Sequence, residues 1–128
     1  MKTTRKNNSH PVLIDCDTGI DDALALIYLA GLAAAGEVQL RVVTTTAGNV
    51  DATQTALNSA YILRLCGLSN VPVVAGMPTP LAVPLVTTPE THGPHGLGYV
   101  IPPETSTDTI AVTPGDHSSF QYQIEYVG

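Results

Sequence analysis

Positive charge almost disappears from this chain after its first six residues. Lys2, Arg5 and Lys6 are followed only by Arg41 and Arg64, against eleven acidic residues and a net charge of -6. A body so poor in cations has little to offer a phosphate backbone, which excludes the electrostatic footprint of a nucleic-acid binder. An anionic substrate would have to be held by metal or by backbone amides, and a neutral one fits better. Long apolar runs are missing too. Val12-Leu13-Ile14 is broken by Asp15, far short of a signal-peptide core or a membrane span, so no membrane partner is expected. Cysteine is scarce: Cys16 and Cys66 form no CxxC and no zinc-type spacing, and read as reduced thiols in a cytoplasmic protein.

What is present is one domain's worth of chain, 128 residues of which 44% are apolar, enough to bury a core. Residues 1–10 are basic and polar and are expected to be a disordered leader. Val12 to Cys16 reads as a buried strand, and Asp21 to Ala35 as a helix with acids in its first turn and Gly36 at its end. The pattern then repeats. Val38 to Thr46 is β-branched and strand-like, Asp51 to Cys66 carries Ala56, Leu57, Ala60, Tyr61 and Leu63 at helical spacing before Gly67, and Val71 to Ala75 is a third strand.

This β-α-β-α-β order predicts an α/β fold, an open and mostly parallel Rossmann-like sheet with flanking helices. Such sheets place their binding crevice beyond the carboxyl ends of the strands. Three segments should converge there: Asp17 to Asp22, Ala47-Gly48-Asn49, and the loop opening at Gly76-Met77-Pro78. From Pro78 to about Pro103 the chain is rich in Pro and Gly, and Thr91 to Gly98 is expected to be irregular, a binding loop with two histidines. The domain is expected to occupy residues 11–103. Residues 104–128 stay unassigned beyond a short strand in Phe120 to Val127, and three parallel strands alone would leave an unprotected edge, so the domain reads as truncated.

The most informative stretch is Asp15-Cys16-Asp17-Thr18-Gly19-Ile20-Asp21-Asp22, with four carboxylates in eight residues. Like charges this close are costly unless a cation or hydrogen bonds compensate them, so the cluster asks for a divalent metal or a proton-consuming reaction. A helix-loop-helix calcium loop fails: counted from Asp15, Gly19, Ile20 and Leu26 fall where an oxygen ligand, glycine and glutamate belong. A phosphatase of the haloacid-dehalogenase type, with Asp15 as nucleophile and Asp17 as acid/base, matches two acids. It puts Gly19 where Thr or Val belongs, and it leaves Asp21 and Asp22 unexplained.

A third pattern accounts for more. Asp15 to Ala23 resembles the DxDPGxDDA signature of the inosine-uridine nucleoside hydrolases. In the same order, Thr44-Thr45-Thr46-Ala47-Gly48-Asn49 is similar to that family's strand end finishing in Gly-Asn, and His92-Gly93-Pro94-His95-Gly96-Leu97-Gly98 to its HGxxGLG loop. The ordered set is more specific than any one piece. The resemblance implies a calcium-dependent N-ribohydrolase on an open α/β sheet, cleaving purine or pyrimidine nucleosides to ribose and free base in nucleoside salvage, and a homo-oligomer, dimer or tetramer, at full length.

Carried onto these positions, the resemblance implies that Asp17 is a Ca²⁺ ligand and the base for the attacking water, and Asp22 a second Ca²⁺ ligand. Asp21 would hold ribose hydroxyls, Asn49 would lie near sugar and water, His92 would line the nucleobase pocket, and Asp15 would support the ligands from behind. The chemistry agrees: hard carboxylate oxygens suit Ca²⁺, and an acid-lined pocket stabilises the oxocarbenium-like transition state of a neutral nucleoside.

Each residue also has a plainer reading. Asp21 and Asp22 complement a helix dipole, Asn49 is turn or N-cap chemistry, His95 is a bystander, and Thr44 to Thr46 end a strand with no catalytic role. Thr18 departs from the family's proline. Members of that family are much longer, so the chain reads as an N-terminal portion, with an inactive fragment or accessory subunit as the alternative function. Alone it is expected to bind Ca²⁺ poorly. Asp108, Asp116 and His117 match no motif.

Overall fold

The computed structural model describes residues 9–104 and 110–112. Apolar and β-branched residues at His10–Cys16 form β1, and Val38–Thr45 forms β2, paired with it in parallel from His10↔Val38 to Cys16↔Thr45. Val73–Ala75 is β3, fully buried and parallel to β2. Ile110–Val112 is β4, parallel to β3, and among the described residues the sheet has the order β1-β2-β3-β4.

The connections are helices. α1, Ile20–Ala34, starts at Gly19 without a side-chain cap, and Asp21 and Asp22 in its first turn face the positive end of the dipole. α2, Ala52–Leu65, is capped by Asp51, whose carboxylate accepts the Gln54 N–H at 2.9 Å. Gly36 and Gly67 stop the two helices in the left-handed region, at φ of 76° and 75°.

Right-handed crossovers between successive neighbours put both helices on one face of the sheet, where they touch each other as well as the strands. Leu26, Val43, Ala56, Leu63 and Val73, each at most 1% exposed, fill the space between. β1 alternates accordingly: Val12, Ile14 and Cys16 face this core while Leu13 and Asp15 are exposed.

The observed elements depart from the sequence expectations in small, explicable ways. β1 begins at His10, inside the stretch read as leader, because His10 N donates to Glu37 O and joins the ladder. β3 begins only at Val73, since Pro72 has no N–H to give. The stretch Thr91 to Gly98 is not wholly irregular: Pro89–His92 makes a single turn, α3, with proline pre-set for the first position. β4 adds a strand where none was assigned, beside β3. The leader residues 1–8, Phe120 to Val127, Asp108, Asp116 and His117 lie outside the described residues.

Candidate functional site

Cys16, Thr45 and Ala75 lie in one transverse row, the last residues of three parallel strands. The segments that follow therefore leave the sheet at the same edge. Thr46 N donates to Cys16 O at 3.1 Å and Gly76 N to Thr45 O at 2.7 Å, which stitches the three exits together.

Asp17 is the first residue past β1 and is bound to Asn49 reciprocally. Its Oδ2 accepts the Asn49 backbone N–H at 3.0 Å, while Asn49 Nδ2 donates to the Asp17 carbonyl at 3.1 Å. This close approach needs Gly48, because a Cβ there would sit 2.1 Å from Asp17 Oδ2. Asn49 is held from its other side by Thr88, whose hydroxyl donates to Asn49 Oδ1 at 3.1 Å and whose N–H donates to Asn49 O at 3.0 Å. Asn49 is not the N-cap of α2; Asp51 is.

His92, at the end of α3, reaches the start of α1. Its Nδ1 accepts the Ile20 N–H at 3.1 Å, one of the amides a helix N-terminus leaves free. The same Nδ1 lies 3.8 Å from Asp21 Oδ1. An atom accepting a hydrogen bond cannot also donate one to the carboxylate, so in this contact Nδ1 is the acceptor and the ring N–H is the one on Nε2. Asp21, with its side chain 77% exposed, stays open to a ligand. Gly19 makes room for this arrangement, since a Cβ there would meet His92 Nδ1 at 2.5 Å and Asn49 Nδ2 at 2.7 Å.

Asp22 is half-buried in the first turn of α1. Burial raises its carboxyl above the ordinary value, the negative charges of Asp21 and Asp17 raise it further, and a hydrogen bond with the Asp17 backbone pulls the other way. Asp15 is exposed on β1, and its Oδ1 accepts the Thr44 hydroxyl of β2 at 2.6 Å. Cys16 is buried, and burial pushes its thiol up. The structure thus brings Asp17, Asp21, Asp22, Asn49 and His92 to one strand-end edge, with Asp15 bonded sideways to the neighbouring strand. His95 contributes its backbone carbonyl, which accepts from Asn58.

The donor set suits a hard cation in kind. The negative charge of Asp17 helps to raise the Asp22 carboxyl, a cost that a divalent ion would relieve. Among the described residues no three His, Cys, Asp or Glu side chains converge as a metal cluster, so the pair supplies only part of a coordination shell.

Two residues escaped the sequence reading: Thr88, which fixes Asn49, and Asn58, which is fully buried on α2 and donates to Thr18 O and His95 O. The findable signal for Asn58 was its place on the buried stripe of α2, with Thr55, Ala56, Ser59, Ile62 and Leu63. A polar amide on such a stripe must have internal partners.

Residues 12–126 match the family model described as inosine-uridine preferring nucleoside hydrolase. The chain is 41% identical over 96 residues to the pyrimidine-specific ribonucleoside hydrolase RihA of Photobacterium profundum, covering 75% of this chain and 30% of that protein. It is 33% identical over 92 residues to the inosine-uridine preferring nucleoside hydrolase of Crithidia fasciculata, covering 72% and 28%. Among solved structures, a plant nucleoside hydrolase superposes with a TM-score of 0.66 at 30% identity, over 84% of this chain and 32% of that one. The purine-preferring ribonucleoside hydrolase of Gardnerella vaginalis superposes with a TM-score of 0.67 at 29% identity, over 85% and 33%. The chain spans about 30% of the length of the curated relatives it matches. No helix among the described residues is long and apolar enough to cross a membrane.

Proposed function

The chain belongs to the inosine-uridine preferring nucleoside hydrolase family, and from that premise we propose that its strand-end site takes part in hydrolysing the N-glycosidic bond of a neutral ribonucleoside. The observation that carries this reading is the reciprocal Asp17–Asn49 pair, with Asp22 electrostatically coupled to Asp17 and His92 docked on the first amide of α1.

Asp17 and Asp22 would hold the cation, a Ca²⁺ ion by the hardness of their oxygens. When bound, Ca²⁺ supplies Lewis-acid activation of the attacking water. The pair would fill only part of the roughly six to eight positions such an ion takes.

Asp17 is the base in this reading. Its Oδ2 is oriented by the Asn49 N–H, and it would accept a proton from the water that attacks the anomeric carbon as the N-glycosidic bond breaks, the nucleobase leaving with the bonding electron pair and taking up a proton from solvent. Asp21, largely exposed, is free to accept from ribose hydroxyls. Asn49 has both ends of its amide engaged by Asp17 and Thr88, so it sets the wall beside the sugar rigidly. His92 would present Nε2–H to the nucleobase. Negative charge around the sugar stabilises the oxocarbenium-like transition state, and no lysine among residues 7–128 opposes it.

The family match leaves the phosphatase reading with Asp15 as nucleophile unsupported, and Asp15 instead accepts a hydrogen bond from Thr44. The alternative reading is an inactive fragment or accessory subunit of such an enzyme, without turnover of its own. One experiment separates them: incubate the purified chain with inosine and uridine, with Ca²⁺ or with chelator, alone and with a polypeptide carrying the remaining family length, and follow ribose release. Ca²⁺-dependent release in either setting supports the hydrolase reading. Absence of release in both, with the chain folded, overturns it.

A further inference from the structure

Asn58 offers more than core packing. Its side chain is 0% exposed, in the middle of α2, and every polar hydrogen and oxygen on it is engaged. Nδ2 carries two hydrogens: one goes to Thr18 O at 3.0 Å and the other to His95 O at 2.8 Å, while Oδ1 accepts from Gln54 Nε2 at 2.9 Å. Thr18 sits between Asp17 and Gly19 in the acidic turn. His95 belongs to the loop that begins at His92, and that loop is closed by Gly98 N donating to His92 O at 2.8 Å and Gly96 N donating to Gly93 O at 3.1 Å.

One amide therefore joins, from behind, the turn carrying Asp17 and Asp22 to the loop carrying His92. The neighbouring Ser59 reinforces the first attachment through a 2.6 Å contact with the Thr18 hydroxyl. Gly96 leaves the space for it, at φ +84° and with a would-be Cβ 2.8 Å from Asn58 Nδ2 and 3.3 Å from Thr18 O. The helix bearing Asn58 is itself anchored by Ala56, Ala60 and Leu63, so the amide is a fixed point to which both the turn and the loop are referred.

We propose that Asn58 is a positioning residue: it sets the separation between the Asp17–Asp22 carboxylates and the His92 imidazole, and so keeps His92 Nδ1 on the Ile20 N–H. This rests on the functional reading above only where it concerns the metal. Removing the amide leaves two carbonyls without donors and releases the loop from the turn.

The test compares Asn58→Ala and Gly96→Ala with a purely core variant of the same helix, Leu63→Ala, by three readouts: melting temperature, the imidazole ¹⁵N shifts of His92, and titration with Ca²⁺ alone. Asn58→Ala and Gly96→Ala are expected to lose the single Nε2–H tautomer of His92 and to weaken Ca²⁺ binding roughly tenfold or more, the usual cost of removing a group that orients ligands. Leu63→Ala should lower the melting temperature and leave the other two readouts as in the parent chain. Should Asn58→Ala not fold, Gly96→Ala decides, since it disturbs the junction from the loop side with α2 intact. A parent-like His92 spectrum and parent-like Ca²⁺ affinity in the folded variants would overturn the proposal. If the parent chain binds no Ca²⁺, the metal reading fails and the His92 spectrum alone judges Asn58.

Discussion

Gly48→Ala is the smallest change that reaches the proposed base without touching it. The added methyl would stand 2.1 Å from Asp17 Oδ2 and 2.8 Å from its Cβ and Cγ. Ordinary contact needs roughly 3.5 Å, so the carboxylate must retreat by about 1 Å or more. That displacement pulls Oδ2 from the Asn49 N–H, now at 3.0 Å, and removes a charge-assisted hydrogen bond worth about 1.5–3 kcal/mol. A misplacement of about 1 Å at a catalytic group costs on the order of 100-fold in rate. The variant should therefore lose about two orders of magnitude in kcat/KM for inosine or uridine, measured as ribose release under conditions where the parent turns over. Ca²⁺ affinity, followed by calorimetric titration, should fall with it. Gly48 is not among the glycines with positive φ, so the backbone itself accommodates alanine and the effect is local to Asp17. Unchanged turnover and unchanged Ca²⁺ affinity in a folded Gly48→Ala protein would refute the assignment of Asp17.

Other perturbations probe the frame around the site. Because burial and its neighbours raise the Asp22 carboxyl above the ordinary carboxylate value, its contribution to metal-free stability is full below that ordinary value and is lost as pH rises through the raised one. Melts in chelator across this range should show that loss, and Asp22→Asn should flatten it; an equally steep profile in the variant would count against the cause given. Ca²⁺ competes with the same proton, so the rise in melting temperature on adding Ca²⁺ should be smaller near pH 4 than near pH 7. Thr45 Oγ1 is buried without a hydrogen-bond partner, and Thr45→Val should stabilise the fold by about 1 kcal/mol in chemical denaturation. Asp51→Ala removes the cap on Gln54 N and should cost about 1 kcal/mol by the same assay, with Ca²⁺ affinity unaffected.

The alternation of strand and helix was legible because each helix carries a clear stop, Gly36 and Gly67, and each strand a β-branched run. The ends drifted by a residue or two where hydrogen bonding rather than pattern decides, as at His10 and Pro72. β4 was illegible: Ile110-Ala111-Val112 is three residues in polar surroundings, and only the free edge of β3 makes it a strand. α3 was hidden for a similar reason, a single turn inside a Pro- and Gly-rich loop.

At the site, the meeting of Asp17, Asp21, Asp22, Asn49 and His92 at one strand-end edge was legible because three short motifs occur in order. Their mutual contacts could not, since they depend on register and on close approach at Gly19 and Gly48. Thr88 was invisible as a site residue because a lone Thr in a loop carries no spacing signal, and the place of Asn58 on the buried stripe of α2 signals an internal partner without saying which; both roles come from partners more than thirty residues away.

The proposed chemistry requires that the Asp17–Asp22 pair bind a cation on the Asn49 and His92 scaffold. The most direct measurement is a Ca²⁺ titration of the chain followed residue by residue by NMR, which reads weak binding as well as tight. Saturable shifts are expected, largest at Asp17, Asp22 and Asn49, and abolished by Asp17→Asn. Shifts absent from those residues, or concentrated elsewhere and indifferent to Asp17→Asn, would contradict it.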